Sequence, residues 1–335
     1  MCDCGGWTDT WFARTGRVCH LAIEPGAVVD LVIRPREPGE PAATIDAGNY
    51  GPPYAFSPSG RRWGAHPLLE AAIESVGLPA DWHATIRVTS DMPPGAAVGT
   101  SAAVTVALLG ALRMAAGETL EPGIVAAAAH AVETEWLGHQ SGVQDQVAAA
   151  FGGVNLVDIP AYPSAVVRPL LPSPEFLERL QRRFLLVVMG HGHRSTEIHD
   201  QVIRDVTGIG PDHPALVALR RTATMAAEAI EAGRPDQLGR AMTDATEAQR
   251  LLHPALVSAD AQGVIATARS RGALGWKVNG AGGEGGSLTI LGGPDPVEYR
   301  ALVQAIQEDP RCRVIPIALA ASGLSVSAQT QGLRP

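Results

Sequence analysis

Apolar residues recur along this chain either at every second position or at helical spacing. Alternation in VCHLAIEPGAVVDLVIRP predicts strands joined by a turn at Glu24-Pro25-Gly26, and HATIRVTSD predicts a further strand. PLLEAAIESVG predicts an amphipathic helix that ends at Gly77, whereas GNYGPPYAFSPSGRRWG, rich in Gly, Pro and aromatic residues, predicts a loop. SAAVTVALLGALRMAAG is apolar nearly all round and therefore predicts a buried helix.

The remaining pattern mixes strands and helices without a steady alternation. GIVAAAAHAVETEWLG predicts a helix capped at Gly138, and RFLLVVMG predicts a buried strand. Helices are predicted within 213–233, 235–252, 259–271 and PVEYRALVQAIQED, and strands at GSLTILGG, CRVIPIALA and GLSVSAQ. This mixture favours an α+β fold over a doubly wound sheet. A domain boundary is predicted near 175–182, at LLPSPEFLERLQ.

Composition narrows the classes of function. The 335 residues are 46% hydrophobic and 18% charged, which suits a globular protein with a large core. The formal net charge of −8 argues against a surface for nucleic acid or anionic membranes, and no apolar run reaches ~18 residues. The four cysteines show no paired framework, so we expect reduced thiols in a cytoplasmic protein.

The stretch DMPPGAAVGTSAAVTVALLGAL predicts a phosphate-binding loop. A strand runs through small residues directly into the buried helix, which leaves backbone N–H groups from Ala96 to Ala102 free to donate to phosphate oxygens. Ser101 offers a hydroxyl to a magnesium ion. The alternative is a small-residue turn capped by Thr100 or Ser101. No Lys follows the glycine, so the Walker pattern is absent.

Three stretches resemble the motifs of the GHMP kinases (galacto-, homoserine, mevalonate and phosphomevalonate kinases). PPGAAVGTSAA is similar to the second motif, with Ala97 and Val98 in place of its Gly and Leu. GWKVNGAGGEGGSLTIL is similar to the glycine-rich third motif, which approaches the substrate and the triphosphate and is interrupted here by Glu284. DCGGWTDT resembles the first motif and looks most like the fucokinase and heptose 7-phosphate kinase branch.

The resemblance implies ATP and Mg²⁺ as cofactors. It implies ATP contacts by Pro94, Gly95, Ala96, Ala97, Val98, Gly99, Thr100, Ser101 and Ala102. It implies substrate contacts by Gly6, Thr8, Asp9, Arg194 and Gly282. The Asp of the family's first motif, here Asp9, hydrogen-bonds sugar hydroxyls, and an Asx-turn residue is the alternative for it.

The resemblance also implies where phosphoryl transfer takes place. Glu133 precedes Asp145 by twelve positions, as a Glu precedes the catalytic Asp of galactokinases. This makes Glu133, with Ser101, a metal ligand and Asp145 the base that accepts the hydroxyl proton. Glu135 is expected at the surface, because it lies about 200° around the helix from Glu133. A helix N-cap is the alternative for Asp145, and metal and base could be shared in other ways. His191 and His193 are expected to be polar loop residues rather than metal ligands.

The resemblance covers nearly the whole chain and implies the two-domain GHMP kinase fold. A ribosomal-protein-like α+β domain at 1–178 would hold the first two motifs, and a ferredoxin-like domain at 179–335 the third. The implied activity is an ATP-dependent sugar kinase acting on the anomeric hydroxyl of a heptose 7-phosphate, fucose or galactose-like sugar. Two alternatives stay open: a catalytically silent sugar sensor, and a member acting on a mevalonate-type acid, such as a decarboxylase. The expected partner is a small-molecule sugar or sugar phosphate, bound by a monomer or homodimer.

The first motif bears on the N-terminus as well. In the family, an Arg nine residues before the motif's Asp is thought to assist the chemistry, and counting nine back from Asp9 lands one residue before Met1. The position of Met1 is Val or a similar residue in relatives, and the Val codon GTG serves bacteria as a start codon. We therefore expect about ten to thirty further residues ahead of Met1, without which the first strand loses ladder partners.

Overall fold

The computed structural model describes residues 1–48, 51–93, 95–190, 195–283 and 285–329, without the side chains of 195–197. The strands of these residues are β1 Cys2–Cys4, β2 Gly16–Leu21, β3 Ile23–Glu24, β4 Ala27–Pro35, β5 Ala43–Asp46, β6 Tyr54–Phe56, β7 Trp82–Ser90, β8 Val154–Ala161, β9 Ser164–Pro169, β10 Phe184–Met189, β11 Gly275–Val278, β12 Ser287–Leu291, β13 Cys312–Ile315 and β14 Ala318–Leu319. The α-helices are α1 Pro67–Val76, α2 Thr100–Ala115, α3 Pro122–Ala131, α4 Gln144–Phe151, α5 Pro174–Gln181, α6 Ser195–Thr207, α7 Pro214–Glu231, α8 Pro235–Leu252, α9 Ala259–Ser270 and α10 Pro296–Gln307. A π-helical turn, Val132–Trp136, continues α3, and short 3-10 turns lie at Gly210–Asp212 and Pro254–Leu256.

The strands form three four-stranded sheets and a short ladder. One sheet has the order β1-β2-β8-β9 and is antiparallel throughout. A second has the order β4-β7-β5-β6, in which β5 runs parallel to β7. The third comes from the later part of the chain, with the antiparallel order β11-β12-β10-β13. The ladder pairs β14 with β3. Mainly antiparallel sheets with helices packed on them confirm the α+β prediction.

The apolar residues of these elements form layered cores. Helices α1, α2 and α3 pack against the β4-β7-β5-β6 sheet in one large cluster, which contains Ile45, Ile86 and Leu109. A separate cluster around Val187 and Leu302 lies between the C-terminal sheet and helices α9 and α10. Both sheets therefore bury one face under helices, as sheets of this class must to remove their apolar side chains from water.

The boundary predicted near 175–182 coincides with helix α5. The chain nevertheless packs across it, because Cys4 and Cys19 share a core cluster with Phe184 and Ala226. Strand β14 also returns from the far end of the chain to pair with β3. The division into domains at 1–178 and 179–335 stays a prediction.

Three predicted elements differ from the structure. The stretch predicted as a loop at 48–64 contains the short strand β6, which pairs with β5. The strand predicted at GLSVSAQ is wrong: Leu324 packs against Gly110 of α2 and its N–H donates to the Ala150 carbonyl, so this segment covers a helix instead of joining a sheet. The helix predicted to run to Gly138 changes to a π turn at Val132. Periodicity also left out β5, β8, β9 and β11, which are short or partly polar.

None of the helices in the described part of the chain is long and apolar enough to span a membrane.

Candidate active site

The predicted phosphate loop is a turn of left-handed backbone that leads into α2. Gly95 and Gly99 have positive φ angles of 78° and 84°, which glycine adopts without strain. Gly99 is the N-cap of α2 and no side chain caps the helix, so the alternative of a turn capped by Thr100 or Ser101 is wrong. The first N–H groups of a 16-residue helix are therefore available for an anion, and the helix dipole favours one.

Ala97 takes the left-handed conformation that the resemblance assigns to a glycine. Its φ of 54° is one that alanine adopts at a cost of roughly 1–2 kcal/mol. The Ala97 side chain packs toward the glycine-rich segment, because a Cβ built on Gly280 would lie 3.0 Å from its Cβ. The phosphate loop and the third-motif loop are therefore in contact at this point.

A chain of buried hydrogen bonds joins the same two loops. The Ser287 hydroxyl donates to the Ala96 carbonyl, and the Asn279 amide donates to the Ser287 oxygen at 2.8 Å. The Thr289 hydroxyl in turn donates to the Asn279 carbonyl oxygen at 3.0 Å. Because buried polar groups are costly when unpaired, this series of hydrogen bonds fixes the spacing of the two loops.

A cavity of about 660 Å³ opens over the phosphate loop. Its floor is formed by Gly95, Ala96, Ala97, Val98, Gly99, Thr100 and Ser101. Its far walls are mainly apolar and include Pro67, Leu68, Val88 and Val104. Ala102, predicted to bind ATP as well, is 1% exposed and is not part of this wall. We call this the donor cavity, because a backbone floor for phosphates and an apolar wall for a base suit a nucleotide.

A second cavity, of about 180 Å³, lies beside the first-motif loop. It is lined by Trp7, Asp9, Thr10, Trp11, Phe12, Gln140, Ser141, Gly142, Gln144, Asp145, His199, Gly280 and Ala281. We call it the acceptor cavity. Asp145, Gly280 and Ala281 line both cavities, so the two spaces meet at one carboxylate and one glycine-rich turn. A third cavity of about 60 Å³ reaches Asp145 from behind the loop and has room for only a few waters.

Asp145 is the second residue of α4 and is half-buried. Val143 holds the N-cap position and no side chain caps the helix, so the alternative of Asp145 as a cap is wrong. The Asp145 carboxylate lies against Gly99, where a Cβ would come within 3.1 Å of its Cγ atom. The absence of a side chain at Gly99 thus lets the carboxylate approach the N-terminus of α2.

Asp9 is buried, and distant backbone holds its carboxylate. Oδ2 accepts a hydrogen bond from the Gln144 N–H at 3.0 Å, and the Asp9 carbonyl accepts one from Val143. A Cβ on Gly142 would lie 2.0 Å from Oδ2, so only glycine fits there. The local Asx-type bond belongs to Asp3, which accepts from the Gly6 N–H. Asp9 therefore joins the first-motif loop to the segment that carries Asp145.

Three further residues of the first and third motifs that are predicted to contact the substrate pack against other parts of the protein. Thr8 is fully buried, and its hydroxyl bonds to the backbone of Gly5 and Arg17. Gly6 packs on Asp3, and Gly282 packs on the Leu256 carbonyl, 2.2 Å from where its Cβ would be. None of Gly6, Thr8 and Gly282 is among the described residues that line the cavity. Their substrate contacts stay predictions.

The predicted metal ligands, Ser101 and Glu133, come from helix α2 and from the π turn that follows α3. Glu133 is buried in the π turn, and its Oε1 accepts from the Gln146 amide at 3.0 Å, while Glu135 is exposed as predicted. Ser101 is exposed on the donor-cavity floor. No group of three His, Cys, Asp or Glu side chains converges on a metal site within the described residues. Carboxylate and hydroxyl oxygens nevertheless fit Mg²⁺, which commonly takes one or two protein ligands together with substrate phosphates.

Burial dominates the electrostatics of the site. It raises the pKa of Asp145 to about 7, opposed by the N-terminal amine and reinforced by the carboxylates of Asp9 and Glu133. Burial likewise raises the pKa of Asp9 to about 6, opposed by the backbone hydrogen bond from Gln144. The Met1 amine itself donates to the Val98 carbonyl at 2.6 Å. A carboxylate that titrates near neutrality is suited to take up a proton during a reaction.

Five residues singled out in the sequence, Pro94, His191, His193, Arg194 and Glu284, lie outside the described residues. Sequence reasoning in turn missed Trp7, Gln144, Gln146, His199 and Ser287, which the structure brings to the site. Gln144 and Gln146 flank Asp145 in the sequence, so their position next to the predicted base could have identified them as site residues.

Comparisons with known proteins agree with this architecture. Residues 67–153 match the family described as GHMP kinases N terminal domain. A bifunctional fucokinase/GDP-fucose pyrophosphorylase of Arabidopsis thaliana is 25% identical over 329 residues, which cover 91% of this chain and 30% of that protein. A D-glycero-alpha-D-manno-heptose 7-phosphate kinase of Campylobacter jejuni is 23% identical over 67% of this chain and 65% of its own length. The chain thus spans less than two thirds of the length of either relative.

Mevalonate kinases match too. That of Thermococcus gammatolerans is 30% identical over 65% of this chain and 63% of its own length. Among solved structures, a D-glycero-D-manno-heptose 1-phosphate kinase from Bacteroides thetaiotaomicron has a TM-score of 0.72 at 19% identity and covers 97% of this chain and 96% of its own. A mevalonate kinase structure has a TM-score of 0.70 at 15% identity, with 96% and 98% covered. These likenesses confirm the α+β GHMP kinase fold, and the chain resembles GHMP kinases, with residues 67–153 matching the N-terminal domain of that family.

Proposed function

We propose that this chain is an ATP-dependent sugar kinase that transfers the γ-phosphoryl group of ATP to the anomeric hydroxyl of a sugar or sugar phosphate. One observation carries the proposal: Asp145 stands where the donor and acceptor cavities meet. A carboxylate at that junction touches both the hydroxyl to be phosphorylated and the space reached by the end of a triphosphate.

The donor cavity supports ATP as the phosphate source. Its floor combines left-handed glycine backbone with the open N-terminus of α2, which together present N–H groups to phosphate oxygens. Its walls at Leu68, Val88 and Val104 suit the apolar faces of a purine. With the first turn of α2 beside Asp145, bound phosphates would extend toward the acceptor cavity.

The proposed reaction is a direct displacement. Asp145 accepts the proton of the acceptor hydroxyl as its oxygen bonds to the γ-phosphorus, and the bond from that phosphorus to the bridging oxygen breaks to release ADP. Asp9 holds the sugar beside Asp145 by accepting a hydrogen bond from a hydroxyl. Ser101 and Glu133 would hold Mg²⁺, which supplies charge neutralisation for the phosphates when bound. The Gln146 amide donates to the Glu133 carboxylate at 3.0 Å and restrains its position.

Relatives that phosphorylate sugars support the acceptor class. The two sugar-kinase relatives reported above match over two thirds of this chain or more. The small volume of the acceptor cavity suits one sugar ring. A catalytically silent sugar sensor would not need a carboxylate where the donor and acceptor cavities meet. The thiols of Cys2, Cys4, Cys19 and Cys312 are free, as expected of a cytoplasmic protein.

A second candidate is phosphorylation of mevalonate, which the mevalonate kinase relatives favour. The deciding experiment measures ADP release with ATP and Mg²⁺ in the presence of L-fucose, D-galactose, a heptose 7-phosphate or mevalonate. We expect turnover with at least one sugar and none with mevalonate, and NMR of the product should locate the phosphate on the anomeric carbon. Turnover with mevalonate alone would replace the proposal by this second candidate.

A further inference from the structure

Two residues that line the acceptor cavity each carry a buried side-chain polar atom without a hydrogen-bond partner among the described residues. These atoms are the indole Nε1 of Trp7 and the side-chain Oε1 of Gln144. Trp7 is 6% exposed. A buried polar group left unpaired costs about 1–3 kcal/mol, so two of them on residues that line one small cavity call for a ligand that completes their bonds.

Neighbouring polar groups of the same wall are already paired within the protein. The Trp11 indole donates to the Gln140 amide oxygen, and the Thr10 hydroxyl donates to the Trp7 carbonyl at 2.8 Å. Asp9 accepts from the Gln144 backbone. The two unpaired atoms are thus a particular feature of Trp7 and Gln144 and not of the whole wall.

The Trp7 ring and the backbone of Gln144 are both held in place. The Trp7 ring packs against Phe12 and His199, with centroid distances of 6.2 and 5.1 Å. Gln144 starts helix α4 with its backbone bonded to Asp9, and its amide nitrogen lies 3.1 Å from where a Cβ of Gly6 would be. Fixed polar groups recognise a ligand without losing side-chain freedom on binding.

Their chemistry selects a type of ligand group. Trp7 offers only a donor, and the free atom of Gln144 is an acceptor. A hydroxyl accepts from one and donates to the other. A carboxylate or phosphate accepts but cannot donate, and an ammonium group donates but cannot accept. A ring with several hydroxyls therefore completes both bonds, through one hydroxyl or two neighbouring ones.

We propose, on the basis of the kinase function proposed above, that Trp7 and Gln144 bind one hydroxyl group of the acceptor, or two neighbouring ones, and so distinguish sugars by the position of that hydroxyl. Trp276 is a useful comparison for Trp7. It is equally buried, at 6% exposed, and its Nε1 also lacks a partner among the described residues. Trp276 nevertheless packs in the C-terminal core and lines neither cavity. An unpaired indole by itself is therefore insufficient. Position on the cavity and the complementary amide oxygen distinguish Trp7.

The test compares Trp7→Phe and Gln144→Met with the matched control Trp276→Phe. Each substitution keeps most of the side-chain volume and removes the polar atom. The kcat/KM for the sugar that the wild type uses, and for its monodeoxy analogues, is measured for all four proteins, with binding of the same sugars followed by calorimetry. Melting temperatures show whether each variant is folded.

We expect Trp7→Phe and Gln144→Met to lower kcat/KM for the parent sugar by about 10- to 100-fold, the effect of leaving a substrate hydroxyl without its partner. The loss should shrink to within about 2-fold for the one deoxy sugar that lacks the hydroxyl read by that residue. Trp276→Phe should change neither value by more than about 2-fold.

Equal losses for parent and deoxy sugars, or no loss in both folded variants, would overturn this inference and leave the kinase proposal standing. Binding and turnover of mevalonate without any sugar would overturn both. If the wild type binds a sugar but does not turn it over, the calorimetric affinities decide. The inference is supported if Trp7→Phe or Gln144→Met binds the parent sugar more weakly than the wild type does, and binds one deoxy sugar as well as the wild type does. Unchanged binding of the parent sugar by both variants overturns it.

Discussion

The donor and acceptor cavities meet at Asp145 but are built in different ways. The donor cavity has a floor of consecutive backbone, from Gly95 to Ser101, and mainly apolar walls. The acceptor cavity has walls of side chains, with four aromatic or imidazole rings and several amides and carboxylates drawn from separate parts of the chain. Phosphate is a shared feature of all nucleotides and can be bound by main-chain N–H groups. One sugar differs from similar sugars mainly in the positions of its hydroxyl groups, so side chains placed at those positions must distinguish it.

This difference predicts which substitutions affect one cavity and which affect both. Asp145→Asn should have the largest effect, because it removes the proton acceptor at the junction while keeping size and polarity. We expect kcat to fall by at least about 10²-fold, with ATP affinity nearly unchanged. Steady-state kinetics and nucleotide titration measure the two quantities. Near-normal turnover of the Asn variant would exclude Asp145 as the base.

Gly142→Ala should damage the acceptor cavity alone. Its Cβ would lie 2.0 Å from the Asp9 carboxylate and so must displace it. We expect kcat/KM for the sugar to fall by about 10-fold or more with ATP affinity unchanged, since a displaced binding group loses about one charged hydrogen bond. Gly263→Ala is the matched control, because a Cβ there meets nothing within 4 Å. Equal loss of ATP affinity in Gly142→Ala would contradict separate cavities.

Ser101→Ala and Glu133→Gln should act through the metal. Each removes an oxygen ligand of a hard cation, so each should raise the magnesium concentration needed for half-maximal activity. The double variant should be less affected than the two single effects combined, because both residues hold one ion. Magnesium titrations of the four proteins give the comparison, and two unchanged single variants would refute the assignment.

The pH dependence of activity and stability should have opposite signs. Asp145 must be ionised to act, so kcat/KM should rise with pH up to about 7 and then level. Both Asp145 and Asp9 have pKa values raised above those of the unfolded chain, so the folded state binds more protons between pH 4 and 7. Stability should therefore fall as pH rises through that window. Melting temperatures of wild type and Asp145→Asn test this, and a wild type stabilised by rising pH would contradict it.

Ala97→Gly should produce the smallest effect. Relief of the left-handed strain, roughly 1–2 kcal/mol, is partly offset by the greater freedom of glycine in the unfolded chain, roughly 0.5–1 kcal/mol. A net stabilisation of about 0.5 kcal/mol is expected by denaturant unfolding. Ala96→Gly is the comparison, since Ala96 is buried and its φ is not positive. Destabilisation by Ala97→Gly equal to that of Ala96→Gly would show that the contact with Gly280 matters more than the strain.

Local signals in the sequence were enough to predict the loop that forms the floor of the donor cavity, but not the apolar walls of that cavity. A run of small residues followed by an apolar helix defines the phosphate loop, because the physics involves only consecutive backbone and the helix that follows it. The main helices and long strands were predictable for the same reason, since burial of one face leaves a periodic pattern over ten or so residues. The strands β5, β8, β9 and β11 were not predictable, because they are short or partly polar and leave no clear apolar alternation.

The sequence alone predicted the α+β class, which the structure confirms, and it predicted a phosphate loop and the residues proposed here to carry the chemistry. Folding decided how these residues combine: Asp9 meets the Gln144 backbone 135 positions away, Ser287 meets Ala96, and Asp145 meets Gly99. Such contacts form only when segments that are distant in the sequence pack together. No local sequence pattern specifies how close a carboxylate or hydroxyl then lies to its partner. The same reason explains why Trp7 and Gln144 became visible as recognition groups only when their surroundings left two polar atoms unpaired.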